Sequence, residues 1–231
     1  MGNTSKRMKK AISIAKDLQK SYTLEEAVEL LLKMPKVNFD ETIEVAVRLG
    51  VDARQSNQIV RGTVLLPNGS GKQIRILVFT EKPKDSLEAG ADFAGLEDII
   101  TKIEEGWMNF DIALATSQAM KKVRNIARIL GPKGLMPNLK SGTVTDDIAS
   151  GVQAIKSGRV EFKMDKTSNV HIAVGKRSFS AEKIIENINN FINALKQAKP
   201  ESFNGSYLKN FSISSTMSPG IKINIKNHIK F

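Results

Sequence analysis

Between Thr42 and Leu49, apolar side chains fall at every second position: Ile43, Val45, Val47 and Leu49. That is the period of a strand with one buried face, and it places Thr42, Glu44 and Arg48 on the other face. Two helices are predicted ahead of this strand. The first is basic and covers residues 5–20. The second opens at Thr23-Leu24-Glu25-Glu26, with Thr at the N-cap and Glu three residues on, and ends at Pro35. A further strand spans Arg61 to Leu66, and the turn-rich Pro67-Asn68-Gly69-Ser70-Gly71 after it reads as a linker or hinge.

The pattern then changes. Lys72 to Thr80 is predicted as a continuous apolar strand, followed by helical stretches near 84–105, a second apolar strand from Phe110 to Ala115, and a helix from Ser117 to about Leu130. Strands alternating with helices imply a small α/β unit with a largely parallel sheet. Gly131 to Asn138 is a loop, and a short helix is expected at 146–157. Alternation returns at Arg159–Met164 and Asn169–Val174, which read as a hairpin around Asp165-Lys166-Thr167-Ser168. Ser180 opens a helix ended by Pro200, whose stripe of Ile184, Ile185, Ile188, Phe191, Ile192 and Leu195 is core. Strands at Tyr207–Ser215 and Ile221–Ile225 bracket a tight turn at Thr216-Met217-Ser218-Pro219-Gly220.

Length, at 231 residues, admits one large domain or two small ones and slightly favours two. Apolar residues at 41% and charged residues at 26% suffice for a soluble globular core, and no apolar run approaches the length of a membrane span or a secretory segment. There is no cysteine, which excludes disulfides, thiolate zinc sites and thiol nucleophiles; two histidines, His171 and His228, cannot make a three-imidazole metal centre. No metal or cofactor is therefore expected.

The formal charge of +11 directs the chain toward a polyanion, either nucleic acid or an anionic membrane surface. Its distribution says more. Residues 1–69 hold 11 basic and 8 acidic groups, residues 70–158 hold 12 and 11, and residues 159–231 hold 12 and 5. The middle is nearly neutral, so the contact surface is expected from the two ends acting together. Within the middle, Lys121, Lys122, Arg124, Arg128, Lys133 and Lys140 occur without an intervening acid and form a second, weaker candidate patch. An enzyme reading, with Lys133 between Gly131 and Gly134 approaching a phosphate, is disfavoured. Neither glycine-rich phosphate signature is present, and this loop follows a helix instead of opening one after a strand.

Asn38-Phe39-Asp40-Glu41-Thr42, Val60-Arg61-Gly62-Thr63-Val64, Gly106-Trp107-Met108, Gly131 to Asn138 and Ser215-Thr216-Met217 occur together in one order. In that order and approximate spacing the chain resembles the ribosomal protein L-one family of bacterial type, over about residues 5–226. The resemblance implies an α/β protein of two domains joined by a hinge: an α+β RNA-binding domain from residues 1–69 and 159–231, and an inserted Rossmann-like α/β domain from residues 70–158. It implies a non-catalytic component of the large ribosomal subunit in the cytoplasm, gripping large-subunit ribosomal RNA at the mobile stalk and assisting release of deacylated transfer RNA from the exit site. It further implies binding to the protein's own operon messenger as a translational repressor, a monomer off the ribosome, and no membrane partner. The alternative is a nonspecific basic nucleic-acid-binding protein.

Carried over by position, the RNA-binding residues are Phe39, Thr42, Glu44, Asp165, Lys166, Thr167, Thr216 and Met217, with Ser218 and Pro219 in the same turn. The residue types suit folded RNA. Its 2′-hydroxyls both donate and accept, so carboxylates and threonine hydroxyls can engage it. Phe39 can pack on a base or sugar, and Met217 offers a flexible apolar contact. Lys166, Arg48 and the basic N-terminal helix would reach phosphates. Ser218 stands where the family favours glycine. If that position needs positive φ the turn is strained, and Ser218→Gly is expected to leave affinity equal or higher. Asn38 and Asn210 also depart from the family pattern, where lysine and serine are common.

Overall fold

The computed structural model of the protein describes residues 5–15 and 20–224. The helices are α1 (Lys6–Ala15), α2 (Leu24–Lys33), α3 (Pro83–Glu88), α4 (Glu97–Glu104), α5 (Met120–Val123), α6 (Ala127–Leu130), α7 (Ile148–Lys156) and α8 (Ala181–Gln197). The strands are β1 (Ser21–Tyr22), β2 (Thr42–Leu49), β3 (Arg61–Leu65), β4 (Ile76–Phe79), β5 (Phe93–Gly95), β6 (Ile112–Ala115), β7 (Arg159–Lys163), β8 (Asn169–Lys176), β9 (Leu208–Ser215) and β10 (Ile221–Ile223). They fall into two compact units. Residues up to Gly71 and from Val160 onward form one, and Lys72–Arg159 the other. Residues 16–19 of the predicted first helix, Ile225 of the last strand and His228 lie outside the described residues.

In the first unit a five-stranded sheet has the order β1-β10-β9-β2-β8. β2 pairs antiparallel with β8 on one side and β9 on the other. Its alternation puts Ile43, Val45, Val47 and Leu49 on one face, where they join a single core with Leu24, Val28 and Leu31 of α2 and Ile184, Ile188, Phe191 and Leu195 of α8. Burying each such side chain contributes about 1.5–3 kcal/mol. α2 starts on the predicted capping box: Thr23 Oγ1 accepts from Glu26 N at 3.2 Å and Glu26 Oε2 accepts from Thr23 N at 3.0 Å. Ser180 does occupy the N-cap of α8, but its side chain makes no capping hydrogen bond. The turn at 67–71 is tied to α8: buried Asn187 donates to the carbonyls of Gly69 and Val174, and Asn68 N donates to Asn187 Oδ1.

Two expectations change here. β1 is a two-residue strand between the first two helices, parallel to β10, too short to leave an alternation signal. The predicted hairpin of β7 and β8 is not one. β7 pairs with β3 in a separate two-stranded sheet, and its connection to β8 is a single bridge, Met164 to Val170. The cause is local packing. Gly62 on β3 lets the ring of Phe162 lie against its backbone, where a Cβ would come within 2.8 Å of the ring. Phe162 then meets Phe191 edge-on at 5.5 Å, and Arg61 Nε pairs with Glu161 at 2.5 Å.

The second unit is a parallel three-stranded sheet, ordered β5-β4-β6. Leu77, Phe79, Ala113 and Ala115 point into one core, and Ile76, Val78 and Leu114 into another on the opposite face. Burial on both faces is why β4 and β6 read as unbroken apolar runs. β4 begins only at Ile76, because Lys72 and Arg75 turn to Asp111 instead of entering the sheet. The helical region near 84–105 contains β5 between α3 and α4. The helix expected over 117–130 is broken into α5, a 3₁₀ turn at Arg124–Ile126 and α6. Val123, Asn125 and Ile126, weak helix formers, sit at the break.

Candidate nucleic-acid interface

The face of β2 opposite the core is polar. Glu44 stands opposite Ala173 and Ser214, Ala46 opposite His171 and Ser212, and Arg48 opposite Asn169 and Asn210. At about 3.4 Å per residue, the span from Thr42 to Arg48 is roughly 20 Å. The expected site residues therefore separate into two clusters joined by Glu44. Phe39, Thr42, Thr216, Met217, Ser218 and Pro219 gather where β2 begins. Arg48 and the turn of Asp165, Lys166 and Thr167 gather where it ends, with Leu49 N donating to Ser168 O at 2.8 Å.

At the first end, Thr216 latches the β9–β10 turn to β2. Thr42 N donates to Thr216 Oγ1 at 3.0 Å, and Thr216 N donates to Thr42 O at 3.1 Å. Thr42 Oγ1 accepts from Lys176 Nζ at 2.8 Å. These hydroxyls are engaged within the protein. Thr216 is exposed as well, and beside it two apolar side chains face out: Phe39 is 54% exposed and Met217 46%. Arg7 of α1 donates to the Met217 carbonyl at 2.6 Å, bringing the basic helix alongside. Ser218 does not have positive φ; Ser168 alone does among the described non-glycine residues. The anticipated strain is absent. Ser218 Oγ instead accepts from Ser215 N at 2.8 Å and lies 3.1 Å from the Pro219 carbonyl, to which it donates.

At the second end, Asp165 organises its own turn. Its carboxylate accepts from Thr167 N, Thr167 Oγ1 and Asn169 N, each at 2.8 Å. Partial burial opposes ionisation, but the hydrogen bonds from Asn169 and Thr167 prevail and hold the carboxyl below the usual range. Thr167 Oγ1 also accepts from Asn169 Nδ2. Lys166 and Arg48 project into solvent as the cations of this end, and Glu44 is exposed between the clusters. An ionised carboxylate on an RNA-facing surface needs donors, which 2′-hydroxyls provide.

Sequence reasoning missed what lies behind the first cluster. Glu41 is fully buried, with its carboxylate on Arg177, Ser215 and Met217, and Asp40 accepts from Ser178 N and Oγ. The signal was faint but present: Glu41 shares the inward register of Ile43, and a carboxylate there requires a partner. Arg177, remote in sequence, gave no sign.

In the second patch one cation is paired. Lys122 Nζ is paired with Glu97 at 2.7 Å, and that carboxylate and Glu81 raise its pKa. Lys121, Arg124, Arg128 and Lys133 are exposed, while the Lys140 side chain lies outside the described residues. A cavity of about 420 Å³ opens at the carboxyl ends of β4 and β6, where α/β sheets commonly take ligands. Glu81, Asp85, Asp146 and Asp147 line it against one cation, Lys82, so it repels phosphate and offers nothing to the nucleotide reading. Among the described residues no group of three or more His, Asp or Glu could hold a metal, and no helix is long and apolar enough to cross a membrane.

Residues 31–219 match the model of the Ribosomal protein L1p/L10e family. The chain is 48% identical over 228 residues to the large ribosomal subunit protein uL1 of Protochlamydia amoebophila (strain UWE25), covering 98% of this chain and 96% of that one. It is 50% identical over 227 residues to the protein of the same name from Amoebophilus asiaticus (strain 5a2), covering 97% and 98%. With a two-unit α/β architecture, a family match spanning most of its length and near-full-length relatives at about half identity, the chain belongs to the Ribosomal protein L1p/L10e family.

Proposed function

We propose that this protein is a structural, non-catalytic component of the large ribosomal subunit that binds large-subunit ribosomal RNA at the mobile stalk through the open face of the β2 sheet. The observation that carries the reading is the pairing of two exposed apolar side chains, Phe39 and Met217, with a polar strand face ending in Arg48 and Lys166. Apolar contacts for bases and sugars lie at one end with Arg7 of the basic helix alongside, and Arg48 and Lys166 stand for phosphates at the other, about 20 Å away. The finer roles follow from the same reading: the protein works in the cytoplasm, is a monomer off the ribosome, assists departure of deacylated transfer RNA from the exit site, and represses its own operon by binding a messenger that mimics the ribosomal site. The exposed Lys121, Arg124, Arg128 and Lys133 would face the transfer RNA; unchanged crosslinking after reversing these charges rejects that part.

The test is a titration with the stalk fragment and a scrambled RNA of equal length at moderate and high salt, repeated with Phe39→Ala. Preference for the stalk fragment should survive high salt and weaken about tenfold in the variant, as loss of one base-packing contact implies. Equal, salt-labile binding to both RNAs, falling by about 0.7–0.9 in log affinity per neutralised phosphate per tenfold rise in salt, would leave only a nonspecific basic binder.

A further inference from the structure

We infer that Glu41 and Arg177 are a positioning pair that sets the Met217 turn in its RNA-receiving shape, an inference resting on the assignment of this end of the sheet to RNA. Glu41 Oε2 lies 2.5 Å from Arg177 Nη1, and Glu41 Oε1 accepts from Ser215 Oγ and Met217 N, each at 3.1 Å. Arg177 in turn donates to the carbonyls of Leu32, Met34 and Pro35, at and just past the end of α2, where backbone acceptors lack helical partners. The buried pair thus ties the continuous stretch from the end of α2 through Phe39–Thr42 to two segments remote in sequence, Arg177 after β8 and the β9–β10 turn. Phe39 is two residues from Glu41, and Met217 is bonded to it directly.

Stability alone is a poor explanation for this arrangement. Both charges are withdrawn from water, and Arg177 Nε is buried with no hydrogen-bond partner among the described residues. A well-packed apolar pair of similar volume is often as stable or more so. What an apolar pair lacks is direction. The Glu41 carboxylate fixes the Met217 amide inward, and with the amide inward the thioether side chain is held out toward solvent.

Two double variants of the full chain separate position from stability: Glu41→Gln with Arg177→Met, and Glu41→Leu with Arg177→Met. Both remove the charges, and only the first keeps an acceptor for Met217 N. The glutamine pair is expected to bind the stalk RNA within about twofold of the parent, and the leucine pair about tenfold more weakly, with both affinities read well below the variants' unfolding midpoints. Equal affinities for the two variants would overturn the inference. Met217→Ala and Phe39→Ala run alongside, and if neither weakens binding it is the RNA assignment that has failed. Should the double variants not fold, amide exchange in the parent decides. The Met217 amide should exchange at least about a hundredfold more slowly than that of Lys166, and equal rates would overturn the pair's role.

Discussion

Side chains at the two ends of β2 divide into those that face solvent and those that hold the surface in shape. Phe39, Glu44, Arg48, Lys166 and Met217 are outward; Thr42 and Ser218 are half-buried and engaged by neighbours, and Asp165, Thr167 and Thr216 are exposed but also hydrogen-bonded within the protein. The distinction changes what substitutions report. Thr216→Val removes the acceptor for Thr42 N, so it should lower stability by about 1–2 kcal/mol along with RNA affinity. A calorimetric midpoint equal to the parent's, with affinity reduced, would show that the hydroxyl contacts RNA instead. Ser218→Gly is no longer expected to be harmless. It removes the acceptor for Ser215 N, and it should lower the thermal midpoint by a few degrees and weaken binding modestly. An unchanged midpoint would return Ser218 to the role of a neutral replacement for glycine.

Elements pinned by many long-range contacts were the most legible where their own pattern matched the sheet. β2 was found residue for residue, because eight residues of strict alternation admit few other structures. The capping box of α2 and the apolar stripe of α8 were equally plain. What escaped depended on partners the local pattern does not encode. β7 and β8 have the look of a hairpin, yet Phe162 draws β7 to Gly62 and β3. Short β1 and β5 exist only through their neighbours. Gly62→Ala should force the Phe162 ring away and cost about 1–3 kcal/mol in a denaturant titration. A loss below about 0.5 kcal/mol would mean that the ring has another place to go and that something else holds β7 on β3.

Each unit of the whole molecule has its own apolar cores, and the second depends on a junction of charge where β4 and β6 begin. Asp111 is drawn down to about 2, first by the Lys72 ammonium, with partial burial opposing and Arg75 assisting. A carboxylate depressed in the folded state stabilises above its unfolded pKa of about 3.9, and that stabilisation is lost as pH falls through about 2. The thermal midpoint of this unit should therefore decline between about pH 4 and 2, and Asp111→Asn should flatten the decline while lowering the midpoint at neutral pH. A decline of the same slope in the variant would place the acid sensitivity elsewhere.

The two clusters act as one surface only if a single RNA spans both, and amide exchange of the full chain with and without the stalk fragment of large-subunit ribosomal RNA reads this directly. Slowed exchange is expected at residues 39–44 and 216–217 and, in the same complex, at 165–167, with residues 72–159 unaffected. Slowing confined to residues 72–159, or absent from both ends of β2, would contradict the assignment of the open sheet face to RNA.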